Sequence, residues 1–246
     1  LHKTRSNFPL ADAANDGSFT IAKHYDESNA MTLGLIWRVS DDSFIIRSPK
    51  QRISLRWLKN DVLSVAHSLY DPLGFVAPFT NTGKMIMQDT GKDETEWKTP
   101  VSKSVKKAIE AWQAEFPILS ELSFPRHVPR SSDTRVAIFC DASKDAYGAV
   151  AYAITDHKPQ LLGSKPKVSP VQALTIPRLE LQGAVVAVEF GKQLQKLLGL
   201  DSSRFQFFTD ATTVLSWIKA PSRNMKEYVL NRVDKILTVS EPHQWQ

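Results

Sequence analysis

The chain has 246 residues, 42% hydrophobic and 23% charged, which suits one large or two small domains and excludes wholesale disorder. A formal net charge of +5 and a pI of about 9.2 permit a polyanionic partner without requiring one. The single cysteine, Cys140, excludes an intrachain disulfide and a Cys/His zinc finger, and no apolar run approaches the roughly 20 residues of a membrane span.

Residues 30–48 read as two strands. Met31, Leu33, Leu35 and Trp37 fall on alternate positions, Ser40-Asp41-Asp42-Ser43 supplies a turn, and Phe44-Ile45-Ile46 starts the return strand. Residues 60–70 follow as a helix, with Asn60 as N-cap and Val62, Val65, Ala66 and Leu69 at helical spacing. Asp71-Pro72-Leu73-Gly74 then breaks it. A second helix is expected over about 80–90. A third is capped by Ser102 and striped by Val105, Ile109, Trp112 and Phe116. Pro117, Pro125 and Pro129 with Ser131-Ser132-Asp133 mark a linker.

Beyond the linker the pattern changes. Strands are expected at 135–140, 147–154 and 161–164. A long helix runs over 176–198, with Pro177 in its first turn and Leu179, Gly183, Val186, Phe190 and Leu194 along one stripe. A strand at 204–208 and helices at 211–219 and 225–237 complete a mixed α/β order. The predicted division is 1–120, a linker at 121–134, and 135–246.

Three acids sit where acids are awkward. Asp141 follows the apolar run Val136–Cys140, and Asp210 follows Phe205–Thr209. Both lie at carboxyl ends of predicted strands, where open α/β sheets place their sites. Glu180 lies in the first turns of the long helix between Leu179 and Leu181. Clustered carboxylates repel one another, and hard divalent cations such as Mg²⁺ or Mn²⁺ reverse that cost. Two such ions about 4 Å apart activate water and stabilise a leaving phosphodiester oxygen. Each acid also has a plain structural reading: Asp210 as N-cap of the next helix, Asp141 as a turn residue, Glu180 as a carboxylate favoured by a helix dipole.

Particular residues carry a resemblance. Phe139-Cys140-Asp141-Ala142-Ser143 with Ala146-Tyr147-Gly148-Ala149-Val150 resembles the first two strands of retroelement ribonuclease H domains. Thr175-Ile176-Pro177-Arg178-Leu179-Glu180-Leu181 resembles that family's central helix, and Phe208-Thr209-Asp210-Ala211 its third acidic motif. Leu69-Tyr70-Asp71-Pro72-Leu73-Gly74 with Ala77-Pro78 resembles the segment between polymerase and ribonuclease H in Pao/BEL-type LTR retrotransposons, and Leu33–Trp37 the end of that polymerase's palm. The likeness covers about residues 30–246.

The resemblance implies a ribonuclease H-like mixed sheet with flanking helices, preceded by a mainly helical connection region with a short β-hairpin. It implies a piece of a polyprotein with a polymerase palm upstream and an integrase downstream, at work inside the cell in a cytoplasmic particle or the nucleus, with no membrane partner. The implied activity is endonucleolytic hydrolysis of the RNA strand of RNA–DNA hybrids during reverse transcription. Asp141, Glu180 and Asp210 would be catalytic and would hold two Mg²⁺ or Mn²⁺ ions. Ser143, Arg178, Arg223, Lys226, Lys103, Lys106 and Lys107 are candidates for gripping the hybrid or template–primer. Departures keep other readings open. Val39-Ser40-Asp41-Asp42 lacks the Tyr of a polymerase Tyr-x-Asp-Asp motif and reads as a turn. The family's fourth acid has no counterpart up to Gln246. A non-catalytic, template–primer-binding remnant and a host-reused interaction protein are the rival expectations.

Overall fold

The computed structural model describes residues 22–26, 29–32, 35–93, 96–220 and 225–246. The first part of the chain is a five-stranded antiparallel sheet with helices between its fourth and fifth strands. Its strands are β1 (Ala22–Asp26), β2 (Asn29–Thr32), β3 (Leu35–Arg38), β4 (Ser43–Ile46) and β5 (Ser123–Pro125), paired in that order. The run read as one strand over 31–37 is two, since β2 pairs antiparallel with β3 from Thr32↔Leu35 to Asn29↔Arg38. Alternation alone cannot reveal a reversal that keeps the alternation in phase. Leu33 lies outside the described residues. The expected hairpin is β3–β4, with Asp42 left-handed at φ 50° in its turn.

The helices of this part are α1 (Lys59–Ala66), α2 (Ala77–Lys92), α3 (Lys103–Ala114) and the single-turn α4 (Phe116–Leu119). Asn60 is not the cap of α1. The Asp61 carboxylate accepts the Leu58 amide at 3.0 Å instead, closing the first turn from inside the helix. Helix α2 starts earlier than the apolar spacing suggests, with Pro78 in its first turn, and Asp71 closes the turn before it by accepting the Phe75 and Val76 amides at 2.9 and 2.8 Å. Ser102 caps α3 as expected, accepting the Val105 amide at 3.4 Å. The stripe Val105, Ile109, Trp112 and Phe116 is buried and meets Trp57, Val62, Val65 and Leu69 in one core. The stretch read as a linker is partly regular, since β5 within it pairs with β4.

The second part is built on β6 (Arg135–Ala142), β7 (Ala146–Thr155), β8 (Lys158–Val168) and β9 (Phe205–Phe208). The sheet order is β8-β7-β6-β9, antiparallel except that β6 and β9 run parallel. Asp156 and His157, at φ 51° and 62°, make the two-residue turn between β7 and β8, a geometry that matches strand twist. The chain's last residues add beside β9: Gln246 donates to the Phe207 carbonyl and Thr209 to that of Gln246, each at 3.0 Å.

Helix α5 (Ile176–Leu198) crosses one face of this sheet, joined by α6 (Thr212–Lys219) and α7 (Glu227–Leu237). Gly199 ends α5 in a left-handed conformation, φ 62°. Val136, Ile138 and Cys140 of β6 alternate into the core with Phe205 and Phe207 of β9, against Leu181, Ala184, Val188 and Phe190. The other face carries Phe139 stacked on Phe208 at 4.7 Å, with Tyr152 edge-on at 6.1 Å. The fold is the expected ribonuclease H-like mixed sheet with flanking helices, behind a helical region with its own small sheet. Among the described residues, no helix is long and apolar enough to cross a membrane.

The two parts meet along β8. Helix α2 packs on it, and the turn before α2 hydrogen bonds to it: Ser164 donates its amide to the Leu73 carbonyl at 2.9 Å and its hydroxyl to the Gly74 carbonyl at 2.5 Å. Gly74 has φ 73°, and a Cβ there would lie 2.3 Å from the Ser164 carbonyl oxygen. The Asp-Pro-Leu-Gly turn therefore both leads into α2 and docks it on the second sheet.

Candidate metal centre

Each of the three acids is delivered by a different element. Asp141 is the penultimate residue of β6, Asp210 follows β9 two residues on, and Glu180 is the fifth residue of α5. The parallel pairing of β6 with β9, down to Phe139↔Phe208, brings the first two to the same sheet end. The third arrives because α5 lies close over that end. A Cβ on Gly183 would sit only 3.3 Å from the Asp141 carbonyl oxygen, so a larger residue would push the helix away. One carboxylate oxygen from each of Asp141, Glu180 and Asp210 lies within 4.8 Å of the others.

The plain structural readings fail for two of them. The N-cap of α6 is Ala211, and no side chain caps that helix, so Asp210 is not spent as a cap. Glu180 is 8% exposed, and its Oε2 is buried without a hydrogen-bond partner. Burial, then the charges of Asp141 and Asp210, push its carboxyl up to about 7 against an ordinary 4.5, partly offset by the Ala142 amide. An uncompensated buried carboxylate oxygen beside two further acids fits a hard divalent cation. Softer metals are poorly served, because Cys140 is buried in the strand, its thiol donates to the Phe208 carbonyl, and burial pushes it up to about 12.

The other candidates are dispersed. Ser143 works within its turn: its hydroxyl accepts the Asp145 and Ala146 amides, each at 3.2 Å. Arg178, in the first turn of α5, and Lys226, just before α7, line one cleft with Thr175 and Trp217. Lys103, Lys106 and Lys107 ride on α3, which packs on α2 rather than on the elements bearing the acids, and Lys106 faces Glu110 at 3.9 Å. Arg223 lies outside the described residues. Trp245 is a core residue, 1% exposed.

Two acidic look-alikes are accounted for locally. Asp41 pairs with Arg38 at 2.5 Å and accepts the Ser43 hydroxyl, while Asp42 pairs with Arg126 and accepts the Trp37 indole. Asp89-Thr90-Gly91 has the tripeptide of aspartic proteases. It lies inside α2, with Thr90 fully buried and Asp89 paired to Lys92 at 2.8 Å. What sequence reasoning missed is the set Gln182, Tyr228 and Arg232, in which the Tyr228 ring also carries Arg178. The signals were faint: an i,i+4 pair on α7 and a polar residue on an apolar helix.

Solved structures similar to this chain include a ribonuclease H1 from the archaeon Halobacterium salinarum NRC-1. It is 11% identical over 46% of this chain and 80% of its own, with a TM-score of 0.33. The N-terminal RNase H domain of a Mycobacterium tuberculosis protein, solved fused to maltose-binding protein, is 14% identical over 46% and 76%, with a TM-score of 0.33. A foamy viral protease-reverse transcriptase in complex with double-stranded DNA matches 89% of this chain at 11% identity and a TM-score of 0.48, and this chain spans 37% of it. No curated protein matches the sequence. Residues 58–211, running from α1 past Asp210, match the family model described as the Pao retrotransposon-like RNaseH-like domain. With the docking turn, the sheet order and all three acids inside or beside that match, the chain belongs to the Pao retrotransposon-like, ribonuclease H-like family.

Proposed function

We propose that this chain is the ribonuclease H portion of a retrotransposon polyprotein and, in its parent protein, hydrolyses the RNA strand of RNA–DNA hybrids during reverse transcription. The observation that carries this reading is the convergence of Asp141, Glu180 and Asp210 around an unpartnered, buried carboxylate oxygen. These residues would hold Mg²⁺ or Mn²⁺, in a two-ion site. When bound, the ions supply an activated water and neutralise the leaving oxygen. Glu180 would give up its proton to bind, and the rigid α5 backbone fixes where its oxygens stand. Asp141 and Asp210, both exposed, face the solvent from which a phosphodiester arrives. Selection of the RNA strand would rest on 2′-hydroxyl contacts and groove shape. Ser143, Arg178, Arg223, Lys226 and the lysines of α3 are the proposed phosphate contacts, with Arg178 and Lys226 favoured by their shared cleft.

The division into 1–120, 121–134 and 135–246 belongs to this reading. Separate cores around Trp112 and around Ile138 support it. Also part of this reading are the proposed neighbours, a polymerase palm before it and an integrase after it, and work inside the cell, in a particle or the nucleus.

The test is cleavage of an end-labelled hybrid in Mn²⁺, by this chain and by a longer piece of its reading frame. RNA-strand products that vanish with Asp141→Asn are expected. Tight, salt-dependent hybrid binding with no cleavage by either protein would replace this reading with a non-catalytic grip on template–primer.

A further inference from the structure

The cleft lined by Thr175, Arg178, Trp217 and Lys226 has an unusual stack at Arg178. The Tyr228 ring has the Arg232 guanidinium 3.4 Å from its centroid and the Arg178 guanidinium 4.7 Å from it. The two arginines are held very differently. Arg232 is held at several points: with the Gln182 carboxamide turned so that its oxygen faces the guanidinium, Nε and Nη2 donate to that oxygen at 3.0 and 3.1 Å, and Nη1 donates to the Tyr228 carbonyl at 2.9 Å. The Tyr228 hydroxyl meets the same Gln182 oxygen at 2.9 Å, so ring, guanidinium and carboxamide form one rigid unit between α5 and α7. Arg178 makes no hydrogen bond from its guanidinium and has no carboxylate within ion-pair distance, among the described residues. Among the described residues, the guanidinium rests on the Tyr228 ring.

A ring orients a guanidinium without neutralising it. The cation lies against the π face, and its in-plane N–H donors stay available. A carboxylate partner would have oriented it too, but would then compete with any incoming anion. The second cation on Tyr228 adds to the local positive field, as does Lys226 across the cleft. Arg178 is also two residues before Glu180 on the same helix, so an anion on Arg178 stands at a fixed offset from the acids.

We propose that Tyr228 is a positioning residue for nucleic acid: with Arg232 and Gln182 behind it, it presents Arg178 to one backbone phosphate of the bound duplex and thereby sets the duplex's register against the three carboxylates. This rests on the nuclease reading. Tyr228 itself touches no phosphate. Its role is exercised through Arg178, so removing the ring has no further effect once Arg178 is gone.

Hybrid binding by the 246-residue chain, measured in Ca²⁺ over a salt series, tests this. Arg178→Gln is expected to reduce the steepness of log K against log salt by about 0.9, the loss of one phosphate contact. Tyr228→Leu is expected to weaken binding roughly fivefold and to flatten the slope in the same way. Tyr228→Phe keeps the ring and the wild-type slope, and Arg178→Gln/Tyr228→Leu matches Arg178→Gln alone. A wild-type slope in a folded Tyr228→Leu protein, or additive effects in the double variant, overturns the proposal while leaving the nuclease reading intact. Should Tyr228→Leu not fold, Arg232→Gln takes its place, with the same slope change expected and a wild-type slope overturning the proposal. A wild-type chain that binds no hybrid overturns both.

Discussion

Glu180 concentrates the electrostatic conflict of the site. In the folded, metal-free chain its carboxyl is pushed to about 7, above the ordinary 4.5, so the folded state holds a proton that the unfolded state releases. Stabilisation from this group is therefore complete below about pH 4.5 and is lost as pH rises through about 7. Asp210→Asn removes one of the two charges responsible. We expect this variant to melt at a higher temperature than wild type at about pH 8 without metal, and to lose the rise in Tm that Mn²⁺ gives the wild type. Thermal melts with and without Mn²⁺ check both, and an Asp210→Asn protein less stable than wild type without metal counts against the arrangement. Sequence placement nominated the three acids. It could not reveal that Glu180 is buried with an unpartnered oxygen, because that depends on how closely α5 approaches β6 at Gly183.

At the scale of elements, periodicity located the helices and most strands, since side-chain period and Pro/Gly punctuation are local properties. It failed where long-range partners set the limits. Strand β8 runs over Lys158–Val168 rather than 161–164 because β7 pairs with it along its whole length. The chain end is ordered for a similar reason. Trp245 stacks on Phe207 at 5.0 Å, donates to the Ser240 hydroxyl at 3.0 Å, and anchors Gln246 beside β9. Trp245→Ala is expected to cost about 3–5 kcal/mol and to lower Tm by roughly 10 °C. A urea or thermal melt within about 0.5 kcal/mol of wild type would show that this anchor contributes little.

Across the whole molecule, the Asp-Pro-Leu-Gly turn joins two cores that sequence reasoning separates. Its chemistry reads as a helix breaker, and its contact with β8 is invisible until both parts are folded. Gly74→Ala must accommodate φ 73° and a Cβ 2.3 Å from the Ser164 carbonyl. A loss of about 1–3 kcal/mol is expected, seen as a lower urea midpoint by tryptophan fluorescence. An unchanged midpoint would mean that the turn is not under tertiary constraint.

Short windows of sequence carry the family's motifs, the element order of the second part and the placement of three acids at element ends, because apolar period and turn residues are local properties. Folding across the chain decides that the acids share one small volume, that α2 docks on β8, and that Arg178 rests on Tyr228 instead of a carboxylate. Those are contacts between residues far apart in the chain, and their energies depend on distance and burial, which no local pattern encodes.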